Sequence, residues 1–133
     1  MEKDFDQWNE VKKSLESRLD VDKRYFFNEG EVWWCALGLN IGFEEDGKGI
    51  HFERPILIVK KFNQSIFLAV PLTTTLKKGS PYYFPITSPD EIMRSIIISQ
   101  IRLIDIHRLT LKMFEIEVDV FQEVKKNLRQ FFV

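Results

Sequence analysis

Three polar residues in one stretch of the chain could together support chemistry on a phosphate group. Glu44 and His51 lie in a glycine-rich segment, and Arg54 follows that segment directly before Pro55. A residue that precedes proline is held extended, so the Arg54 guanidinium would stand at the mouth of a strand. From there it could bind a phosphate with two N–H donors. His51 or Glu44 could then transfer a proton.

Two threonines could complete such a site. Thr73 and Thr74 end an apolar run that predicts a strand, and their hydroxyls could hydrogen-bond the same phosphate. With Arg54 stabilising charge on the phosphorane oxygens, these groups would suffice to cleave RNA, whose 2′-hydroxyl attacks the adjacent phosphorus without a metal ion. The alternative is that Arg54 forms a structural salt bridge, with Glu53 or Glu44, and that the threonines only end a strand.

Other chemistries lack the residues that they require. His51 and His107 are the two histidines, and neither belongs to a set with metal-ligand spacing, so we expect no metal and no cofactor. Cys35 lies in an apolar run and is expected to be a buried hydrophobe. A single cysteine cannot form an internal disulfide, which favours a reducing cytoplasm. The chain has no Walker-type glycine loop and no GxGxxG motif after a strand.

Short strands separated by turns are predicted for the middle of the chain. Residues 38–53 hold four glycines and predict a long loop. Pro85 suggests that its strand lies at a sheet edge. The predicted strands cover residues 31–37, 56–61, 66–72, 82–86 and 95–103, and residues 106–109 either continue the sheet or begin a 3₁₀ turn.

Helices are predicted at both ends. Asp4 and Gln7 form a possible N-terminal cap pair for a helix over residues 4–20. Its apolar face comprises Phe5, Trp8, Val11, Leu15 and Leu19. A second helix is predicted in the tail, with Asp119 as its cap. Its buried side comprises Phe121, Val124, Leu128 and Phe131 or Phe132. These elements predict a helical extension over residues 1–25 and a small β-barrel with a C-terminal helix over residues 26–133.

The distribution of charge keeps an RNA partner open. The 133 residues carry a net charge of −1. Residues 1–47 hold 6 basic and 12 acidic side chains, whereas residues 48–112 hold 10 basic and 4 acidic ones. The basic stretch could bind phosphate, or both stretches could simply be solvated surfaces. No apolar run approaches the roughly 18 residues of a membrane span, and the charged N-terminus does not resemble a signal peptide.

Several short segments, in this order, resemble the MazF/PemK family of endoribonuclease toxins from bacterial type II toxin–antitoxin systems. The similarity spans roughly residues 27–109 and does not cover residues 1–25. The segments are Gly30-Glu-Val-Trp33, Gly42-Phe-Glu-Glu45, Arg54-Pro-Ile-Leu-Ile-Val59, Val70-Pro-Leu-Thr-Thr74 and Ser99-Gln-Ile-Arg-Leu-Ile-Asp-Ile-His-Arg-Leu109.

The resemblance implies a fold and an activity. The fold would be α+β and mainly β: a small SH3-like β-barrel with a C-terminal helix, usually a homodimer, here with an extra N-terminal helix. The activity would be metal-independent cleavage of single-stranded RNA that leaves a 2′,3′-cyclic phosphate and a 5′-hydroxyl. The partner would be a cognate antitoxin. By the same resemblance Arg54 and Thr73 match the catalytic residues, Thr74 the residue beside them, and Glu44 the glutamate of the loop motif.

The chain also departs from the family pattern. Ser99 precedes Gln100 where some members use an aspartate for proton transfer, Glu45 replaces the usual glutamine, and Phe43 stands where some members have histidine. We therefore hypothesise that His51 supplies the acid–base function. Candidate RNA contacts are Phe43, Thr74, Lys77, Lys78, Tyr82, Tyr83 and Gln100.

Two alternatives to the enzyme remain open. One is a non-catalytic barrel that binds nucleic acid or a partner protein. The other is a protein-interaction barrel that uses its N-terminal helix. That acidic helix could also cover the basic groove, extend an interface or only add stability.

Overall fold

The computed structural model describes residues 2–18, 26–49, 51–77 and 79–132. Within them it forms two α-helices, seven β-strands and two 3₁₀ turns, Ile98–Gln100 and Ile106–Arg108. The larger elements are α1 (Phe5–Glu16), β1 (Glu31–Ala36), β2 (Glu53–Lys61), β3 (Ile66–Thr73), β4 (Tyr83–Thr87), β5 (Met93–Ile97), β6 (Arg102–Asp105), β7 (Leu109–Glu115) and α2 (Val118–Phe131).

The strands form an antiparallel sheet in the order β4-β5-β3-β2-β1-β7, with β6 also paired to β3. The predicted α+β, mainly β class is therefore confirmed. Among the described residues no backbone pairing joins β4 to β7, so closure of the sheet into an SH3-like barrel stays a prediction. Pro85 lies in β4 at one end of this order, as its missing N–H predicts.

The apolar run over residues 95–103 is not the single strand that its composition predicts. β5 pairs with the end of β3, Thr73 opposite Ser95, whereas β6 pairs with the beginning of β3, Ile66 opposite Asp105. The two registers differ by three residues, which is the length of the intervening 3₁₀ turn. The chain therefore stops pairing with β3 at the 3₁₀ turn and pairs with it again in β6. Local composition does not predict such a change in long-range pairing.

The core occupies both faces of the central strands. Phe67 and Ile58 lie on one side, and Leu57 and Val70 on the other, where α2 inserts Val124. Strands β2 and β3 are covered on both faces, which explains their nearly continuous apolar sequences.

Both helices differ in detail from their sequence patterns. In α1, Asp4 caps Gln7 N at 3.0 Å as predicted, but the helix ends at Glu16. Phe5 is exposed, and Leu19 lies outside the described residues.

In α2, Val124 and Leu128 are buried as predicted. Glu117, not Asp119, is the N-cap residue and makes no side-chain cap bond, while Asp119 lies in the first turn, where its charge favours the helix dipole. Phe131 and Phe132 are exposed rather than buried, and the Phe131 ring packs edge-on against Tyr82 and Phe132.

Helix α1 docks through Trp8, which is buried, and through Val11 and Leu15, which pack against the same cluster. The Trp8 ring lies so close to Gly38 that a Cβ on that residue would sit 2.0 Å from it, which only glycine permits. The ring also packs edge-on against Phe52, with the centroids 5.7 Å apart, and faces the Arg108 guanidinium. Helix α1 is thus attached where the loop between β1 and β2 begins and ends.

Candidate active site

Arg54 is held from two sides within the protein. Its side chain is 6% exposed. Nε donates to Asp46 O at 2.7 Å and Nη1 to Leu72 O at 3.1 Å, while Nη2 forms an ion pair with Glu45 at 2.5 Å. The loop between β1 and β2 thus supplies two of the three contacts, and β3 supplies the third. These contacts fix the guanidinium in one orientation.

Thr73 lies at the end of β3, directly after the carbonyl that Arg54 contacts. It is 9% exposed, and its Oγ1 accepts a hydrogen bond from Thr75 N at 3.1 Å. That bond uses a lone pair of the hydroxyl and leaves the O–H available as a donor. The backbone bond from Arg54 to Leu72 couples the positions of the guanidinium and the hydroxyl.

A pocket of about 180 Å³ brings these groups together. Arg54, Thr73 and Thr74 all line it, as the sequence predicts for the phosphate site. Three basic residues and one acidic residue belong to its described lining, so the net charge of these residues favours an anion. The full lining comprises Trp34, Lys48, Glu53, Arg54, Pro55, Leu72, Thr73, Thr74 and Arg94.

A tight turn in the β1–β2 loop brings the backbone of Asp46 into contact with the Arg54 side chain. Lys48 and Glu53 exchange backbone hydrogen bonds of 2.8 and 2.9 Å across its turn. Gly47 lies against the backbone of Phe52, where an added Cβ would be 1.5 Å from the carbonyl oxygen. A side chain at position 47 would therefore open the turn and move Asp46.

The acidic partner of Arg54 is Glu45, and this corrects the salt bridge with Glu53 or Glu44 considered from the sequence. Glu44 is exposed, and its Oε1 instead accepts a hydrogen bond from Ile41 N at 2.9 Å. His51 is exposed on the turn. Neither Glu44 nor His51 belongs to the described lining of the 180 Å³ pocket, although both lie in the loop that bounds it.

The predicted RNA contacts are spread over a wider surface. Phe43 is completely exposed on the loop, and Thr74 is exposed at the pocket. Lys77 lies over the Tyr83 ring at 5.3 Å. Tyr82 packs edge-on against Phe131 of α2, with the centroids 5.3 Å apart. Lys78 lies outside the described residues.

Gln100 contacts the β1–β2 loop and does not belong to the described lining of the 180 Å³ pocket. Its Oε1 accepts from Glu45 N at 3.3 Å, and its Nε2 donates to Phe43 O at 3.4 Å. Gln100 thereby joins the 3₁₀ turn after β5 to the residue that is paired with Arg54.

Sequence reasoning missed Arg94 as a pocket residue. Arg94 is 7% exposed, and its Nη1 contacts Ser88 Oγ at 2.6 Å and the Asp90 carboxylate at 3.1 Å. The sequence feature that could have identified Arg94 is its position as a charged residue within a segment that predicts a β-strand, Met93-Arg-Ser-Ile-Ile97.

Glu53 was considered only as an ion-pair partner, yet this residue belongs to the described lining of the pocket. Cys35 does not, and burial raises the pKa of its thiol to about 12, which agrees with its predicted role as a hydrophobe. Among the described residues there is no group of three or more His, Cys, Asp or Glu side chains that could hold a metal ion.

A larger cavity, of about 740 Å³, lies between β4 and α2. Its wall includes Glu115, Glu117, Asp119 and Glu123. Clustered carboxylates repel phosphate, so the smaller pocket at Arg54 is the better candidate for nucleic-acid chemistry.

The sequence and the fold belong to a known class of protein. Residues 28–132 match the family described as PemK-like, MazF-like toxin of type II toxin–antitoxin system. The chain is therefore a member of this toxin family, and the resemblance read from its motifs is confirmed.

Solved structures of similar fold include MazF from Deinococcus radiodurans, with 21% identity and a TM-score of 0.65 over 80% of this chain and 96% of that one. An endoribonuclease in complex with its cognate antitoxin, from a mycobacterial species, gives 19% identity and a TM-score of 0.59 over 79% and 93%. Mycobacterium tuberculosis toxin MazF-mt6 gives 13% identity and a TM-score of 0.59 over 77% of this chain and 95% of that one. At such identities the likeness shows the fold alone.

Among curated proteins, none matches the chain. None of the helices in the described ranges has the length and apolar character needed to cross a membrane.

Proposed function

We propose that this protein is the toxin of a type II toxin–antitoxin system and cleaves single-stranded RNA without a metal ion. The observation that carries the proposal is the buried Arg54 guanidinium, which is held by three contacts, one of them to the Leu72 carbonyl directly before Thr73. A fixed cation beside a hydroxyl donor suits the transition state of phosphodiester cleavage, in which negative charge builds on the non-bridging oxygens.

In this reaction the 2′-oxygen of a ribose attacks the adjacent phosphorus, and the bond from phosphorus to the 5′-oxygen breaks. The products are a 2′,3′-cyclic phosphate and a 5′-hydroxyl, which takes up a proton. A non-bridging oxygen replaces Glu45 at Nη2 of Arg54, and the Thr73 hydroxyl donates to the same phosphate. The other two contacts of Arg54 keep the guanidinium oriented during this exchange.

Three groups are candidates for accepting the 2′-hydroxyl proton. Glu44 and His51 are the candidates from the sequence, and Glu53 is the carboxylate in the described lining of the pocket. A general base must come within hydrogen-bond reach of the proton that it removes, so we favour Glu53.

Bases of the RNA would lie outside the pocket. We propose that Thr74 and Phe43 contact the RNA directly. Thr74 is exposed at the pocket, and Phe43 is exposed on the β1–β2 loop. The candidates Lys77 and Tyr82 would extend the path along the β3–β4 connection, and Gln100 would act through the loop that it contacts. Lys78 is a candidate from the sequence alone. Unpaired bases can stack on such exposed aromatic rings.

The remaining features are proposed by analogy. Structural neighbours include MazE–MazF complexes from Deinococcus radiodurans, so a cognate antitoxin is the expected partner of this chain. We further propose an SH3-like barrel over residues 26–133, a homodimer, a cytoplasmic location and an accessory role for residues 1–25.

The test is cleavage of a single-stranded RNA in EDTA, with the cut ends mapped for the wild type, Arg54→Ala and Thr73→Ala. Arg129→Ala, a change of an exposed arginine on α2, is the matched control. We expect both pocket variants to lose cleavage while keeping the wild-type circular dichroism spectrum. A folded Arg54→Ala that still cuts at the same positions would contradict the proposal. RNA binding without cleavage by the wild type would favour the non-catalytic barrel, which the replacement of the family aspartate by Ser99 allows.

A further inference from the structure

A buried tryptophan of the N-terminal helix contacts both ends of the β1–β2 loop. Trp8 of α1 is 6% exposed. Its ring fills the space beside Gly38, two residues after the end of β1, and packs edge-on against Phe52, directly before the start of β2. The family match at residues 28–132 does not include Trp8. This contact therefore joins a helix outside the matched region to the loop beside the candidate site.

Gly38, Gly47 and Phe52 form the base of this loop. Gly38 N donates to Phe52 O at 3.1 Å, and Gly47 N donates to Gly38 O at 2.8 Å. An added Cβ on Gly47 would lie 1.5 Å from Phe52 O, so the backbones at these two positions are in close contact. The loop base is thus closed by backbone contacts, and the Trp8 ring covers two of its three residues.

The loop base is adjacent in the chain to the groups that orient Arg54. Asp46 directly precedes Gly47, and its carbonyl oxygen accepts the hydrogen bond from Arg54 Nε. Glu45, one residue earlier, forms the ion pair with Arg54 Nη2. A continuous set of contacts therefore runs from Trp8 through the loop base to the Arg54 guanidinium.

Phe52 has a backbone conformation that needs support from its surroundings. Its φ angle is +55°, in the left-handed region that a residue with a bulky side chain rarely adopts. Such a conformation costs energy and persists where neighbouring contacts hold it. The hydrogen bond from Gly38 N supports its carbonyl, and the Trp8 ring packs against its side chain. Loss of the indole would remove one of these supports and let the turn relax.

Arg108 fixes the Trp8 ring over the start of the loop. The guanidinium lies 5.7 Å from the centre of the ring. Its Nη1 also donates to Ala36 O at 3.0 Å and to Leu37 O at 3.4 Å, the two residues before Gly38. A cation that contacts both the indole face and these carbonyls holds the helix and the loop together.

We infer that Trp8 is a positioning residue, which holds the loop base in the arrangement that lets Asp46 and Glu45 orient the Arg54 guanidinium. This inference rests on the proposed function for the reaction in which Arg54 acts, and it gives the N-terminal helix a specific role in that reaction. A shift of about 1 Å in a group that stabilises a transition state is enough to lower a rate by about 100-fold.

The first experiment measures steady-state RNA cleavage. We expect Trp8→Ala to lower kcat by about 10- to 100-fold and to change KM by less than about threefold, because Arg54 acts in the transition state. Trp8→Phe keeps an aromatic ring against the loop base and should recover most of the lost kcat.

Val124→Ala is the control for a general loss of stability. It removes buried apolar contacts in the other core cluster, so it should lower the thermal unfolding temperature while leaving kcat at the wild-type value. A kcat for folded Trp8→Ala equal to that of the wild type or of Val124→Ala would overturn the inference. If Trp8→Ala does not fold, Trp8→Leu replaces it, with a loss of kcat in the same direction.

Hydrogen exchange follows the loop without RNA. The amides of Gly38 and Gly47 donate the hydrogen bonds of the loop base. Relative to the amides of β3, they should exchange about tenfold faster in Trp8→Ala than in the wild type or in Val124→Ala. Faster exchange with an unchanged kcat would show that the loop moves without affecting Arg54, and would also overturn the inference.

The two arms separate the inference from the proposed function. If the wild type cuts no RNA but Trp8→Ala loosens the loop base, the proposed function fails and the structural role of Trp8 stands. If the wild type cuts RNA and Trp8→Ala matches it in both kcat and exchange, the inference fails and the proposed function stands.

Discussion

Lys3 and Asp46 form an ion pair with 2.9 Å between Nζ and Oδ2, and the backbone oxygen of the same Asp46 accepts the Nε hydrogen of Arg54. Lys3 also donates to Asn40 O at 2.6 Å and to Gly42 O at 3.2 Å. Lys3 lies outside the family match at residues 28–132. It nevertheless contacts the β1–β2 loop, and the same loop positions Arg54, the candidate catalytic residue.

Lys3→Met should lower kcat for RNA cleavage about tenfold, because a loop released at Asn40 and Gly42 positions Arg54 less well. Thermal stability should change little, since an ion pair with about a quarter of each side chain exposed contributes modestly. Steady-state cleavage kinetics provide the measurement. Lys12→Met, on an exposed position of α1, is the matched control. Equal kcat values for the two variants would remove the proposed positioning role of Lys3.

Glu45→Gln should tighten binding of a non-cleavable RNA several-fold. Glu45 occupies Nη2 of Arg54 in the free protein, so a phosphate must displace it, and a neutral amide competes less well. Titration of the labelled RNA at constant salt would measure the change. Glu123→Gln, an exposed carboxylate on α2, controls for the general effect of removing one negative charge. Weaker binding by Glu45→Gln than by this control would show that the ion pair is needed to build the site.

Glu53→Gln and His51→Ala distinguish the candidate proton acceptors. We expect Glu53→Gln to lower kcat by about 10²-fold or more with a small change in KM, because a general base acts in the transition state. His51→Ala should retain most of the wild-type rate, since His51 is exposed on the turn and outside the described pocket lining. Single-turnover kinetics would measure both. The reverse pattern would assign the base to His51, as the sequence suggested.

Glu31 should make the stability of the fold depend on pH. Burial of the Glu31 carboxyl would raise its pKa, but hydrogen bonds from Trp33, Asn28 and Lys112 outweigh burial and hold the pKa below the ordinary value of 4.5. A lowered pKa means that the folded state prefers the carboxylate. Its stabilisation is therefore complete above pH 4.5 and is lost as the pH falls through the folded-state pKa.

Glu31→Gln should accordingly reduce the free energy of unfolding by about 1–3 kcal/mol at neutral pH. The difference from the wild type should shrink as the pH falls below 4.5. Urea unfolding across this range measures both. Glu115→Gln, which removes the exposed second partner of Lys112, should have a much smaller effect. A difference that stays constant down to low pH would contradict the assigned role of the carboxylate.

Local sequence determined much of this protein. Apolar runs predicted the positions of most strands, because a strand covered on both faces needs apolar residues along its length. Pro85 indicated an edge strand, and Asp4 indicated the start of the first helix. Several motifs in their order along the chain, among them the one around Arg54 and the one ending in Thr74, together predicted the toxin family. Each of these inferences depends on residues that are neighbours along the chain.

Tertiary structure alone decided which charged groups meet. Glu44, Glu45 and Glu53 are chemically equivalent in sequence, and the path of the loop selects Glu45 as the partner of Arg54. The loop is held by a hydrogen bond that Lys3 donates to Asn40 O and by one that Gln100 accepts from Glu45 N, and both residues are distant from the loop in sequence. Arg94 enters the pocket only because β5 pairs with the end of β3. Strand register and loop closure are set by long-range packing, so residue type and spacing could not report them.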